Sequence, residues 1–262
     1  MNAQTAVKGA YEAIGSLAER ERSEDYRLGL TIAFEQAVSG FAGKRVLDLG
    51  SSFGLHLLAA KRMGAAECVG LDKFIFPDAF KNDFSLTRED IVSLQQVWEK
   101  EGIKIQRHDL SERLPFSDAR FDLVTCHAVI EHLHGIHKEL FAEINRVLAP
   151  DGIVVFTTPN LASLLKRTRF LFGRSPLWDF KDYIDSGLRF TGHVREFTVA
   201  ECRSLLKWTG FDPLKVVSRP SYFNRNWIKN PAKFHNVLFQ FASRLRPMWG
   251  DLVFAAGRKL CD

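Results

Sequence analysis

The stretch "VLDLGSSFG", Val46–Gly54, decides the fold. An apolar run with an acid inside it ends in a loop that has a glycine at each end and two serines between them. A helical stretch, "LHLLAAKRMG", follows and closes at Gly64. A strand that feeds a glycine loop and then a helix opens an α/β sheet, and such sheets bind ligands beyond the carboxyl ends of their strands. The GxGxxG spacing of a dinucleotide site fails, with Leu55 where its third glycine would fall. Asp48, two residues before Gly50, would also repel a nearby phosphate. A ligand with an ammonium for that acid and a carboxylate for the N–H groups at the helix start suits the loop. Gly50 and Gly54 let the backbone approach it.

Outward from this loop the chain alternates. "RVLDL" (45–49), "ECVGLD" (67–72), "IKIQRHDL" (103–110), "FDLVTCH" (121–127), "IVVFTTP" (153–159), "LKVVSR" (214–219) and "GDLVFAAGRK" (250–259) read as strands. Between them, "REDIVSLQQVWEKEG" puts Ile91, Leu94 and Trp98 on one helix face, and Ile136, Leu140, Ile144 and Leu148 recur every four residues. Thr198 and Glu201 form a capping box, and Gly210 ends that helix. Alternation of this kind implies a mostly parallel sheet with helices on both faces. The chain divides into an N-terminal helical cap (1–42), an α/β core (43–159), a basic aromatic lid (160–195) and the rest of the sheet (196–262). The last part carries a long helical insertion at 220–249.

Chemically useful residues fall at the strand ends: Asp48, Asp72, Asp109 and His127. Asp72 lies where an acid clasps a ribose diol, and Asp109 can accept from an exocyclic amine. An amino acid, a ribose and an adenine on one ligand describe S-adenosyl-L-methionine (SAM). With these residues in view, the chain resembles the class I SAM-dependent methyltransferases of the broad type 11 group. "VLDLGSSFG" resembles the family's first motif, and "VGLD" its ribose-binding strand end. "HDLSERLPFSDARFDLVTCHAVIEHL" looks like the adenine-contacting acid followed by the fourth strand, and "EINRVLAPDGIVVFTTPN" like the helix, turn and fifth strand. The resemblance implies a Rossmann-like fold of seven strands, the last antiparallel. It implies a cofactor site of Asp48, Gly50, Ser51, Ser52, Gly54, Asp72, Asp109, Leu110 and His127. Ser51 and Ser52 depart from it, standing where Cys and Gly are usual.

Methyl transfer needs alignment of nucleophile and methyl, and a hydroxyl acceptor also profits from a general base. His127, at the tip of strand four, and His193, in "TGHVREFT", are the catalytic candidates; Glu131 and His132, in "IEHL", read as packing or cofactor-side support. His132, His134 and His137 make no clean ligand set, so no metal is expected. Lys166, Arg167, Arg169 and Arg174 beside Phe170, Phe172 and Trp178 suit an anionic or glycan-like small-molecule acceptor, such as a sugar or lipid-linked hydroxyl. A helix near 232–246, flanked by Lys229, Lys233, Arg244 and Arg246, would allow peripheral membrane contact.

The chain has 262 residues and a formal charge of +5, which excludes neither an anionic substrate nor a nucleic acid. Nucleic acid is nevertheless unexpected, because base amino-methylating members carry an Asn/Asp-Pro-Pro-aromatic tetrad where this chain has "CHAV". A SAM-binding module without catalysis is the other reading. The four scattered cysteines, Cys68, Cys126, Cys202 and Cys261, and the polar N-terminus fit a cytoplasmic protein.

Overall fold

The computed structural model describes residues 1–18, 25–74, 87–177, 179–187, 192–221, 242 and 245–260. Seven strands form one sheet: β1 (Arg45–Leu49), β2 (Glu67–Asp72), β3 (Lys104–Arg107), β4 (Phe121–His127), β5 (Leu148–Pro159), β6 (Phe211–Arg219) and β7 (Leu252–Lys259). Their order is β3-β2-β1-β4-β5-β7-β6. The pairs through β5 are parallel, and β7 lies antiparallel between β5 and β6. The chain reverses direction across the sheet between β1 and β4, the switch point at which open α/β sheets form their crevice.

Side chains alternate along each central strand and feed two cores. Val46, Cys68, Leu123, Val155 and Ala256 face one layer; Leu47, Leu49, Leu71, Val124, Phe156 and Val253 face the other. The first layer holds α1 (Ala3–Ile14), α2 (Asp25–Val38), α3 (Leu55–Arg62) and α4 (Arg88–Glu101). Asn2 caps α1 by accepting from the Thr5 amide, and Ala6, Val7, Ala10, Tyr11 and Ile14 share a core with Leu58 and Trp98. The first helix of the expected cap is thus part of the layer that covers the sheet. On α4, Ile91, Leu94 and Trp98 are buried as their spacing requires, and Thr87 and Asp90 form a capping box.

The second layer holds α5 (His137–Val147) and, further along the chain, a helix over Val199–Trp208. Between them the 160–195 segment forms α6 (Leu164–Leu171) and α7 (Phe180–Ser186), so the Val199–Trp208 helix is α8. Neither α6 nor α7 has a buried residue, and Phe170, Leu171, Phe172 and Phe180 are each more than 70% exposed. The expected helix at 232–246 lies outside the described residues apart from Ala242, Leu245 and Arg246, and so do Trp178 and Cys261. Among the described residues no helix is long and apolar enough to cross a membrane.

Candidate functional site

The carboxyl edge of the sheet carries local backbone strain. Ser52, Phe74 and Ala128, just beyond β1, β2 and β4, have φ of 44°, 45° and 53°. Non-glycine residues pay of order 1–2 kcal/mol to adopt this region. Gly50 (φ 81°) follows β1 directly, and a Cβ there would lie 2.4 Å from Val129 Cγ2. At Gly54 (φ 77°) a Cβ would meet Trp98 Nε1 and Ile105 Cδ1 at 2.7 Å. The first loop is therefore pressed between the chain beyond β4 on one side and α4 with β3 on the other. It is pinned by the Gly50 and Ser51 amides, both donating to Leu71 O (2.8 and 3.1 Å), and by Trp98 Nε1 donating to Phe53 O (3.0 Å).

The acids at the strand tips are each held differently. Asp48 is buried, and its Oδ1 accepts from Thr125 Oγ1 at 2.7 Å. Asp72 accepts the Phe74 amide on Oδ1 (2.7 Å) and the Ser52 amide on Oδ2 (2.8 Å). Burial raises its pKa, and those two amides offset part of the rise. Asp109 pairs with Lys73 Nζ through Oδ2 (2.6 Å) and accepts from Ser111 through Oδ1, which lowers its pKa to about 2. Leu110 beside it is half-buried and packs against the second core. Ser51 is buried and turns its hydroxyl to Asp48 O (2.8 Å), so its side chain braces the loop. Ser52 is exposed, takes the positive φ of a glycine and offers its amide to Asp72.

This arrangement fits SAM. Each Asp72 oxygen spends one lone pair on an amide and keeps another for a ribose hydroxyl. The two glycines leave the loop backbone bare at its ends, and the buried Asp48 carboxylate braces β1 against Thr125 beside His56. The residues that could hold the cofactor in this arrangement lie at the first three strand tips.

Two further clusters flank the tips. In the first, the fully buried Glu35 carboxylate from α2 bridges two imidazoles. His56 Nε2 lies 2.7 Å from Oε2, and His127 Nε2 lies 2.7 Å from Oε1. Thr157 Oγ1 stands 3.3 Å from His127 Nδ1, and Asp48 Oδ1 stands 3.7 Å from His56 Nδ1. Burial alone would raise the Glu35 pKa; His56 and His127 overcome it and bring it down to about 2. Burial would lower the His56 pKa; Glu35, then Asp48, lift it to about 9. The pair is therefore an internal ion pair at neutral pH, and His127 donates Nε2–H to its carboxylate. Glu35 and His56 were missed in the sequence. The signal was a polar stripe on α2, Arg27, Thr31 and Glu35, spaced by four where an amphipathic helix would bury apolar residues.

In the second cluster, Glu131 is fully buried, and burial pushes its carboxyl up to about 7. The Val194 and Arg195 amides donate to Glu131 O (2.8 and 3.2 Å), which folds the 192–195 segment back onto the loop beyond β4. His193 arrives there with its ring 5.0 Å from that of His132. His193 Nδ1 lies 2.8 Å from Glu196 Oε1, and Glu196 also pairs with Lys166. Burial lowers the His193 pKa to about 4 and that of Lys166 to about 8. The structure thus puts both catalytic candidates at the carboxyl edge, in separate clusters. His134 is exposed, and His137 Nε2 is taken by Ile130 O at 2.8 Å.

Known proteins share this fold. Residues 19–216 match the family model of a methyltransferase domain. The methyltransferase YcgJ of Bacillus subtilis is 27% identical over 221 residues, 80% of this chain and 73% of that protein. A ubiquinone biosynthesis O-methyltransferase of Pasteurella multocida is 28% identical over 125 residues, 48% of this chain, and the chain spans 50% of that enzyme's length. Among solved structures, a SAM-dependent methyltransferase from Mesorhizobium loti superposes with a TM-score of 0.58 at 19% identity, covering 87% of this chain and 96% of that one. A Haloferax volcanii complex of a methyltransferase with its activator gives 0.64 at 16% identity, covering 93% and 92%. The matched domain takes in the strands from β1 to β5 with the glycine loop and the acids at the first three tips, and the chain belongs to the class I SAM-dependent methyltransferases.

Proposed function

We propose that the enzyme methylates an oxygen nucleophile, a hydroxyl on a small and anionic or glycan-like acceptor, and that His127 is its general base. The observation that carries this reading is the Glu35–His127 contact. An ionised carboxylate at 2.7 Å from Nε2 fixes the tautomer in which Nδ1 is the basic nitrogen, at the tip of the strand next to β1. When bound, SAM supplies a methyl group already activated on a sulfonium. Asp48, Gly50, Ser51, Ser52, Gly54, Asp72, Asp109 and Leu110 hold it at the tips, with His127 at their edge. His127 Nδ1, which the Thr157 hydroxyl holds at 3.3 Å in the free protein, would exchange that contact for the acceptor's hydroxyl and take its proton, and Glu35 would stabilise the imidazolium that results. Such a base contributes about 10²–10⁴-fold.

Several features support the acceptor class. The Pasteurella relative is by name an O-methyltransferase. Arg27 and Lys166 act electrostatically on Glu131, bringing cationic side chains near the second cluster. The basic 160–195 segment joins β5 to that cluster and would close over an acceptor as a lid, with His193 facing it.

The test is a transfer assay with labelled SAM over a panel of sugar, phenol and lipid-linked hydroxyls, run for the wild type and His127→Ala. A hydroxyl acceptor should be found whose turnover falls by about 10²–10⁴-fold in the variant while SAM affinity stays unchanged. Methylation confined to amines or nucleic acid, or full activity in His127→Ala, would refute the reading.

A further inference from the structure

The second cluster has a composition and a burial that its hydrogen bonds leave unexplained. Glu131 is fully buried, and neither of its carboxylate oxygens has a hydrogen-bond partner among the described residues. The Thr158 hydroxyl, also buried, acts on the Glu131 carboxyl and offsets part of the burial, without a hydrogen bond of good geometry. A buried carboxylate so poorly supplied with donors is costly unless it is protonated or meets a cation. Lys166 pairs with Glu196, and Arg27 and Lys166 act on Glu131 through their charge. What Glu131 does meet is two imidazoles: one ligand atom from each of Glu131, His132 and His193 falls within 4.8 Å of the others.

The outer contacts have the form that orients metal-binding histidines. His193 holds Glu196 Oε1 at 2.8 Å through Nδ1, and His132 holds Gly192 O at 3.2 Å through Nδ1. Hydrogen bonds from Nδ1 to a carboxylate and to a backbone carbonyl assign ligation to Nε2 and fix the ring planes. Glu131 supplies the carboxylate ligand, and Glu196 stands behind His193 as its hydrogen-bond partner. Two histidines and one carboxylate, with positions left over for water or substrate, suit zinc and its first-row neighbours; magnesium prefers oxygen ligands throughout.

We propose that Glu131, His132 and His193 bind one divalent first-row cation of the zinc type, and that this cation holds and acidifies the acceptor's oxygen. The function assigned to the cation rests on the O-methyl transfer reading above; the binding itself does not. A bound cation of this type lowers the pKa of the oxygen acid it holds, so an acceptor hydroxyl bound there would lose its proton to water more readily.

The experiment is a titration of the chelator-stripped full chain with Co²⁺, followed by visible absorption, with SAM binding measured calorimetrically on the same samples. One equivalent should bind, produce d–d bands of a four- or five-coordinate ion, and be displaced by Zn²⁺. Glu131→Gln and His193→Asn should each weaken binding by more than about tenfold, while His134→Ala, at the exposed neighbour, should leave it unchanged. SAM heat certifies folding, and should Glu131→Gln lose it, the half-buried His193→Asn decides. A wild type that binds SAM without taking up one Co²⁺, or undiminished uptake in His193→Asn, overturns the metal site and leaves the methyltransferase assignment standing. Loss of SAM heat from the wild type would instead strike at the cofactor site.

Discussion

Gly50 and the Glu35–His56 pair are the single positions on which the site depends most. With φ at 81° and Val129 2.4 Å from the place of a Cβ, Gly50→Ala must either strain the loop or push Val129 aside. Calorimetry should show weakened SAM binding, and urea unfolding a loss of about 1–3 kcal/mol. The ion pair makes stability depend on pH in both directions. His56 has a pKa raised to about 9, so its contribution is complete below its ordinary value of 6.5 and is lost as pH climbs through 9. Glu35 is lowered to about 2, so its contribution is complete above 4.5 and fades as pH falls toward 2. Stability should therefore peak between roughly 4.5 and 6.5, with His127 and Asp48 the other titratable groups facing the pair. Unfolding free energies measured from pH 3 to 10 check this, and His56→Gln should flatten the alkaline limb. An alkaline limb as steep in the variant as in the wild type would show that the pair does not set it.

At the level of elements, the helices and strands that cover the core were legible because each obeys a local rule. β1, β2 and β4 fall on the residues read from the sequence, as near-continuous apolar runs bounded by turns. The α8 capping box forms as its sequence demands: the Glu201 amide donates to Thr198 Oγ1 at 3.2 Å, and the Thr198 amide to Glu201 Oε2 at 2.8 Å. Thr198→Ala should cost about 1 kcal/mol by urea unfolding, with SAM affinity unchanged. Leu94→Ala, which empties a fully buried position under α1 and α3, should cost about 2–5 kcal/mol. Boundaries were less legible where packing sets them. β3 is the exposed edge strand and stops at Arg107, short of the expected residue 110, because the chain turns there into the Asp109–Ser111 hydrogen bonds. β5 starts five residues early, since "LAPDG" pairs through Leu148 with Phe121 before the bulge. The sites were legible only in part. Asp48, Asp72 and Asp109 announce themselves by lying at strand ends, a one-dimensional signal. Glu35 meeting His127 across 92 residues and His193 returning to Glu131 are contacts made by the tertiary fold, and no spacing in the chain encodes them.

Taken as a molecule, the fold is a sheet clamped between two helical layers, with its chemistry gathered along one edge. The acids of β1, β2 and β3 line one stretch of that edge, and the clusters around Glu35 and Glu131 flank β4. This separation predicts that cofactor binding and catalysis can be disabled independently. Asp72→Ala should abolish SAM binding, whereas His127→Ala should spare it and lose turnover. The claim beneath all others is that the cofactor is gripped at the first three strand tips, with Asp72 on its ribose. Isothermal titration of SAM into the wild type and Asp72→Ala, side by side, tests it most directly. One SAM per chain in the wild type and no measurable heat in a folded Asp72→Ala is the predicted result; equal affinity in the two would contradict it.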